Sequence, residues 1–97
     1  MTKTEISNIL LNSEFVKNKN NKFGDTTNTK ILMVFNKYFT YGFWAIKYIS
    51  GETWITGYEL KHSSMNNIDF ENLPENIGDD MNYMWYDEFI KKFGHIK

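Results

Sequence analysis

Between Tyr38 and Leu60 the chain reads YFTYGFWAIKYISGETWITGYEL, a stretch that holds eight of its seventeen aromatic residues. Ser50-Gly51-Glu52 interrupts it with turn chemistry. The flanking runs, Phe43 to Ile49 and Thr53 to Lys61, are rich in β-branched and aromatic residues, which predicts a β-hairpin. Side chains alternate across a strand. One face therefore carries Trp44, Ile46 and Tyr48 with Trp54, Tyr58 and Leu60; the other carries Phe43, Ala45 and Ile49 with Ile55. A sheet that is apolar on both sides needs a cover on each, from helices, a loop, a second copy or a partner.

The rest of the chain is organised around that hairpin. Thr2 and Glu5 have the spacing of a capping box, and Ile6, Ile9, Leu10, Leu11 and Phe15 follow at helical spacing, which predicts a helix ending near Lys17. The polar run that follows lacks periodicity and reads as a loop over 18–28. KILMVF then opens a first strand, expected from Lys30 to Phe39. Its connection to the second falls at Thr40-Tyr41-Gly42, or alternatively at Asn36-Lys37, with one long strand bulged at Gly42. Residues 62–79 contain the single proline and several turn formers, and Ile68, Phe70, Leu73 and Ile77 are expected to anchor them against the core as a loop or a short helical turn. A final helix is expected to be capped by Asp79 or Asp80, to present Met81, Met84, Trp85, Phe89 and Phe93 along one side, and to stop at Gly94. The expected fold is one α+β domain over residues 1–97: an N-terminal helix, a three-stranded antiparallel meander and a C-terminal helix, with the helices on one face of the sheet.

Composition narrows the function. There is no cysteine, so disulfides and thiolate chemistry are excluded, and a reducing, cytoplasmic setting is expected. No apolar run approaches the ~20 residues of a membrane span, and the N-terminal segment does not have the pattern of a signal peptide. All eleven basic residues are lysine, so the planar guanidinium fork that reads guanine edges and grips phosphate is missing. Residues 1–61 carry a charge of +3 and residues 62–97 carry −4. Asp69, Glu71, Glu75, Asp79, Asp80, Asp87 and Glu88 all fall in a lysine-free interval, where helix capping and solvation account for carboxylates without any further role.

Catalytic chemistry finds little to work with. His62 and His95 are the only imidazoles, His62-Ser63-Ser64 lacks any sign of triad geometry, and no nucleotide-binding or metalloprotease motif is present. Neither Asp79-Asp80 nor Asp87-Glu88 lies in a calcium-loop pattern. No enzyme activity and no cofactor or metal are expected. The features fit a small protein-binding module acting on a larger protein, with Trp44, Tyr48, Trp54 and Tyr58 as an aromatic contact surface. In a sharper version the carboxylates at 69–88 imitate phosphates and occupy a basic nucleic-acid channel of the target. The lysine and asparagine usage suggests an AT-rich genome, and small proteins of AT-rich bacteria and their phages are often inhibitors of larger machines such as defence nucleases, or immunity partners of toxins. The alternative is a single-stranded nucleic-acid binder, in which Lys37, Lys47 and Lys61 track a backbone while Tyr38, Tyr41, Trp44, Tyr48, Trp54 and Tyr58 stack bases. Self-association into a homodimer is a further way to cover the sheet.

Overall fold

The capping box forms as expected. In the computed structural model, which describes residues 1–17, 26–61 and 64–94, the Glu5 N–H donates to Thr2 Oγ1 (3.1 Å) and the Thr2 N–H donates to Glu5 Oε1 (3.2 Å). These bonds open helix α1, Lys3–Leu11, which buries Ile6 and Leu10 completely. The helix is shorter than its apolar periodicity predicts. Asn12 caps it, the Ser13 hydroxyl donates to the Leu10 carbonyl, and Val16–Lys17 turn into a short strand, β1. Nonlocal pairing with β2 (Thr26–Asn28) takes the last predicted helical turn, and it also makes a strand of the end of the predicted 18–28 loop. The rest of that loop, like His62 and His95, lies outside the described residues.

The sheet is larger than a three-stranded meander. Strands β3 (Leu32–Phe35), β4 (Thr40–Tyr48), β5 (Thr53–Lys61), β6 (Ser64–Ile68) and β7 (Asn82–Trp85) join β1 and β2, and all pairings are antiparallel. One edge of β4 pairs β5 from Tyr41 to Lys47. Its other edge is shared, with β3 on Thr40–Phe43 and β2 on Ile46–Tyr48. Thr29 makes this fork possible: its N–H donates to the Ala45 carbonyl, and its buried hydroxyl accepts the Ala45 N–H, both at 3.0 Å. A side chain thus supplies the acceptor where the backbone changes partner, and the buried Ala45 N–H stays paired.

The β3–β4 connection falls at Asn36–Phe39, the alternative position, because Asn36 Oδ1 accepts the N–H groups of both Tyr38 and Phe39 at 2.8 Å. No bulge accompanies it. The β4 register runs unbroken through Gly42, which pairs Met33 on one side and Tyr58 on the other. The Ser50–Glu52 turn and the β5 boundaries are as expected, with Gly51 at φ 90°, a conformation that glycine adopts without strain.

Two further differences concern the C-terminal half. Ser64–Ile68 adds a sixth strand where a loop is expected. Met81, Met84 and Trp85 precede the final helix, since residues 82–85 form β7 beside β3, and α2 begins only at Tyr86 and ends at Phe93. Asp79 and Asp80 therefore do not cap it, and its N-cap is Trp85, without a side-chain hydrogen bond. The charge pattern suits the dipole nonetheless, with Asp87 and Glu88 in the first turn, Lys91 and Lys92 in the last, and Gly94 (φ 79°) as C-cap.

The helices lie on opposite faces of the sheet. On one, Ile6 and Leu10 of α1 join Leu32, Val34, Tyr41, Phe43, Ala45 and Phe70 in the main core. On the other, Phe35 meets Phe89 and Phe93 of α2 edge-on, at ring separations of 5.3 and 5.5 Å. Sheet twist and curl leave each short helix room over only part of the surface. Segment 71–77 is tied to α1 by backbone bonds between Lys3 and Glu75 and between Ile77 and Met1.

Candidate binding face

The face toward α2 is set by the β4–β5 register, in which Gly42 opposes Tyr58, Trp44 opposes Thr56 and Ile46 opposes Trp54. Near α2 this face is closed. The Tyr58 ring lies across Gly42, where a Cβ would come within 2.7 Å of its Cζ, and packs beside Trp44 at 5.9 Å. Burial raises the Tyr58 hydroxyl pKa above its ordinary value, with a smaller contribution from Tyr86.

Farther from α2 the same face opens. Trp44 and Ile46 are half-buried, while Tyr48 and Trp54 are 39 % and 46 % exposed. Met65, 64 % exposed, lies on the same side beside Leu60, at the other end of β5 beyond Tyr58. By register, the side chains on this side come from Thr26 and Asn28 of β2; Gly42, Trp44, Ile46 and Tyr48 of β4; Trp54, Thr56, Tyr58 and Leu60 of β5; and Met65 and Asn67 of β6. None carries a charge. The charged residues of β4 and β5, Lys47, Glu59 and Lys61, fall on the α1 side instead. There Lys47 Nζ sits 6.0 Å from the centre of the Phe15 ring, and Glu59 stands opposite Tyr41, where burial first and the Glu59 carboxylate second raise the phenol pKa.

Of the four predicted contact rings, Trp44, Tyr48 and Trp54 thus share an accessible surface, while Tyr58 is 7 % exposed and forms its floor. Tyr41, a candidate for base stacking, is on the opposite face and buried.

The acidic residues do not converge. Asp69 caps a 3-10 turn over Phe70–Asn72, accepting the Glu71 N–H (3.2 Å) and Asn72 Nδ2 (2.6 Å). Glu75 accepts the Thr4 hydroxyl and the Thr4 N–H at the positive end of α1, a favourable place for a carboxylate. Asp79 accepts from Asn76 Nδ2, and Asp80 takes a left-handed conformation (φ 55°) in the turn before β7. Asp87 pairs with Lys30 at 3.2 Å, both well exposed, and Glu88 is exposed beside it. Strand β7 runs between Asp79/Asp80 and Asp87/Glu88, and its four residues span about 13 Å. Among the described residues no three His, Asp or Glu side chains are grouped closely enough to hold a metal ion.

One feature of the surface escapes pattern reading. At the end of the β3–β4 hairpin a cleft of about 720 Å³ is bordered by Phe35, Tyr38, Phe39, Asp79, Asp80 and Phe93. Tyr38 is 73 % exposed, with Lys37 Nζ 5.0 Å from its ring centre. Both Tyr38 and Phe39 look like strand residues by composition, and only the turn chemistry of Asn36 signals that they stand at a tip.

Comparisons of the chain with protein-family models, with curated proteins and with solved structures return no match. No helix among the described residues is long and apolar enough to cross a membrane.

Proposed function

We propose that this chain is a non-enzymatic protein-binding module that acts in the cytoplasm on a larger protein, as an inhibitor of the kind phages and mobile elements direct against host defence, and that it docks through the open end of its α2-side face. The observation that carries this reading is the uncharged surface around Trp44, Tyr48 and Trp54. Large rigid rings with a polar handle, set on paired strands and half in water, offer contact area at low entropic cost. The dispersal of the carboxylates favours this aromatic contact over mimicry of a phosphate backbone, which needs its charges on one surface.

Nucleic-acid binding is the weaker reading. Stacking platforms set lysines beside the rings they serve, whereas here Lys47 and Lys61 lie on the α1 side and the tryptophans on the other. The test is affinity capture of the tagged protein from its native host after nuclease treatment, alongside a Trp54→Ser variant with an unchanged circular dichroism spectrum. A stoichiometric protein held by the native chain and lost by Trp54→Ser supports the proposal. Recovery of nucleic acid alone, or equal retention by both chains, overturns it.

A further inference from the structure

The β3–β4 hairpin ends beside the acidic turn that precedes β7, and one side chain ties the two together. Asn36 accepts the N–H groups of Tyr38 and Phe39 with its Oδ1, while its Nδ2 donates to the Asp79 carbonyl at 3.2 Å. The cleft of about 720 Å³ at this junction, within the size range of ligand pockets, therefore has a fixed frame. Three of the rings that border it stand in water: Tyr38 is 73 %, Phe39 45 % and Phe93 53 % exposed. Asp79 and Asp80, both exposed, border it as well. The Asp79 carboxylate accepts one hydrogen bond, from Asn76, and that of Asp80 accepts none; among the described residues neither meets a cation. The Lys37 ammonium, also on the border, rests over the Tyr38 ring instead.

We propose that this cleft receives an arginine side chain displayed by another protein. Exposed rings beside carboxylates that lack a counter-charge offer a cation two attractions, the negative face of the ring and the charge of the carboxylate. Arginine suits both, because its guanidinium is planar, stacks on rings, forks onto a carboxylate and is weakly hydrated. An ammonium is held more firmly by water, and a site this exposed does not replace its hydration shell. A phosphate would be repelled by Asp79 and Asp80, and a purely apolar ligand would strip water from them with nothing in return. Arginine is absent from these 97 residues, so a second copy of them cannot supply the side chain. Lys37 opposes entry, as a like charge on the ring that the guanidinium would cover. The cleft lies at the Thr40 end of β4, whereas Tyr48 and Trp54 stand at the other end of the β4–β5 ladder, so it holds arginine whatever the open aromatic face binds.

Amide chemical shifts of the isotope-labelled full chain, followed while a blocked Gly-Arg-Gly peptide is added, test it. The peptide should shift the amides of Tyr38, Phe39 and Asp80 in the millimolar range, its neutral citrulline counterpart should not, and its lysine counterpart should bind more weakly. Asp80→Asn keeps a residue type that accepts the left-handed conformation and should weaken arginine binding about two- to fivefold. Tyr38→Ser should weaken it by a similar about two- to fivefold, and Lys37→Met, which frees the ring, should strengthen it. All three positions are exposed, so the fold is kept. No shift at these amides by about 10 mM peptide, equal binding of the citrulline or the lysine peptide, native affinity in both Asp80→Asn and Tyr38→Ser, or weaker binding by Lys37→Met overturns the proposal. So do shifts confined to the Trp54 indole and its neighbours, which assign arginine to the aromatic face of the sheet.

Discussion

Replacing Thr29 with valine tests the explanation of the forked sheet. Valine keeps the branched shape of threonine and removes only the hydroxyl. In the native fold that hydroxyl accepts the Ala45 N–H at 3.0 Å and donates to the Lys30 carbonyl at 2.9 Å. Ala45 is fully buried and Thr29 is 2 % exposed, so no water reaches the orphaned N–H. A buried donor left without an acceptor costs about 1–3 kcal/mol. The Lys30 carbonyl belongs to an exposed residue, which water can serve, so its loss adds little. For a domain of this size each kcal/mol moves Tm by about 4–8 °C, and Thr29→Val should melt about 5–20 °C below the native protein. Thr29→Ser keeps the acceptor and should fall between the two. Thermal melts by circular dichroism decide the matter, and hydrogen exchange at the Ala45 amide locates it, since that amide should lose protection first. A valine variant that melts within about 2 °C of the native chain would show that the hydroxyl is not what holds the fork.

Two further outcomes follow from packing and ionisation. Gly57→Ala puts a Cβ 2.4 Å from a ring carbon of fully buried Phe43 and 2.6 Å from the Gly42 carbonyl, whereas the nearest atoms to a Cβ at Gly42 belong to the Tyr58 side chain, the closest at 2.7 Å, and a side chain yields more readily than backbone; chemical denaturation should show Gly57→Ala losing about 1–3 kcal/mol or more and Gly42→Ala losing less. Burial raises the Tyr58 phenol above its ordinary pKa, so the folded state holds this proton more tightly than the unfolded chain; stability should be intact below pH ~10 and decline as pH rises beyond it, and Tyr58→Phe should make that decline shallower in a Tm–pH series.

The predicted contact surface illustrates how far residue pattern reaches. Alternation alone set Trp44, Ile46 and Tyr48 on the side of Trp54, Tyr58 and Leu60, and the observed register agrees. It could not show which of these rings stay accessible. That depends on tertiary packing: Tyr58 is buried across Gly42 and beside Trp44, with Tyr86 of α2 near its hydroxyl, while Trp54 stays in water. The acidic run shows the opposite case. Closeness along the chain implied one charged region, but β7 carries Asp87 and Glu88 away from Asp79 and Asp80 by pairing with β3.

The same division runs through the fold. Features governed by neighbours a few residues apart were legible: the Thr2–Glu5 capping box, the Ser50–Glu52 turn, strand β5 and the Gly94 stop. Each is closed by hydrogen bonds or backbone preferences that the local residues themselves supply. Features that depend on distant partners were not. Met81, Met84 and Trp85 fit a helical stripe, yet Trp85 is held opposite Leu32 in a strand because β3 offers a ladder of hydrogen bonds and an apolar core to pack on. Val16–Lys17 and Ser64–Ile68 become strands for the same reason, with little intrinsic preference of their own. Local chemistry thus determined the hairpin, the caps and the sorting of rings by face, while long-range pairing decided the number of strands, the opposed helices and which rings of the β4–β5 face meet water.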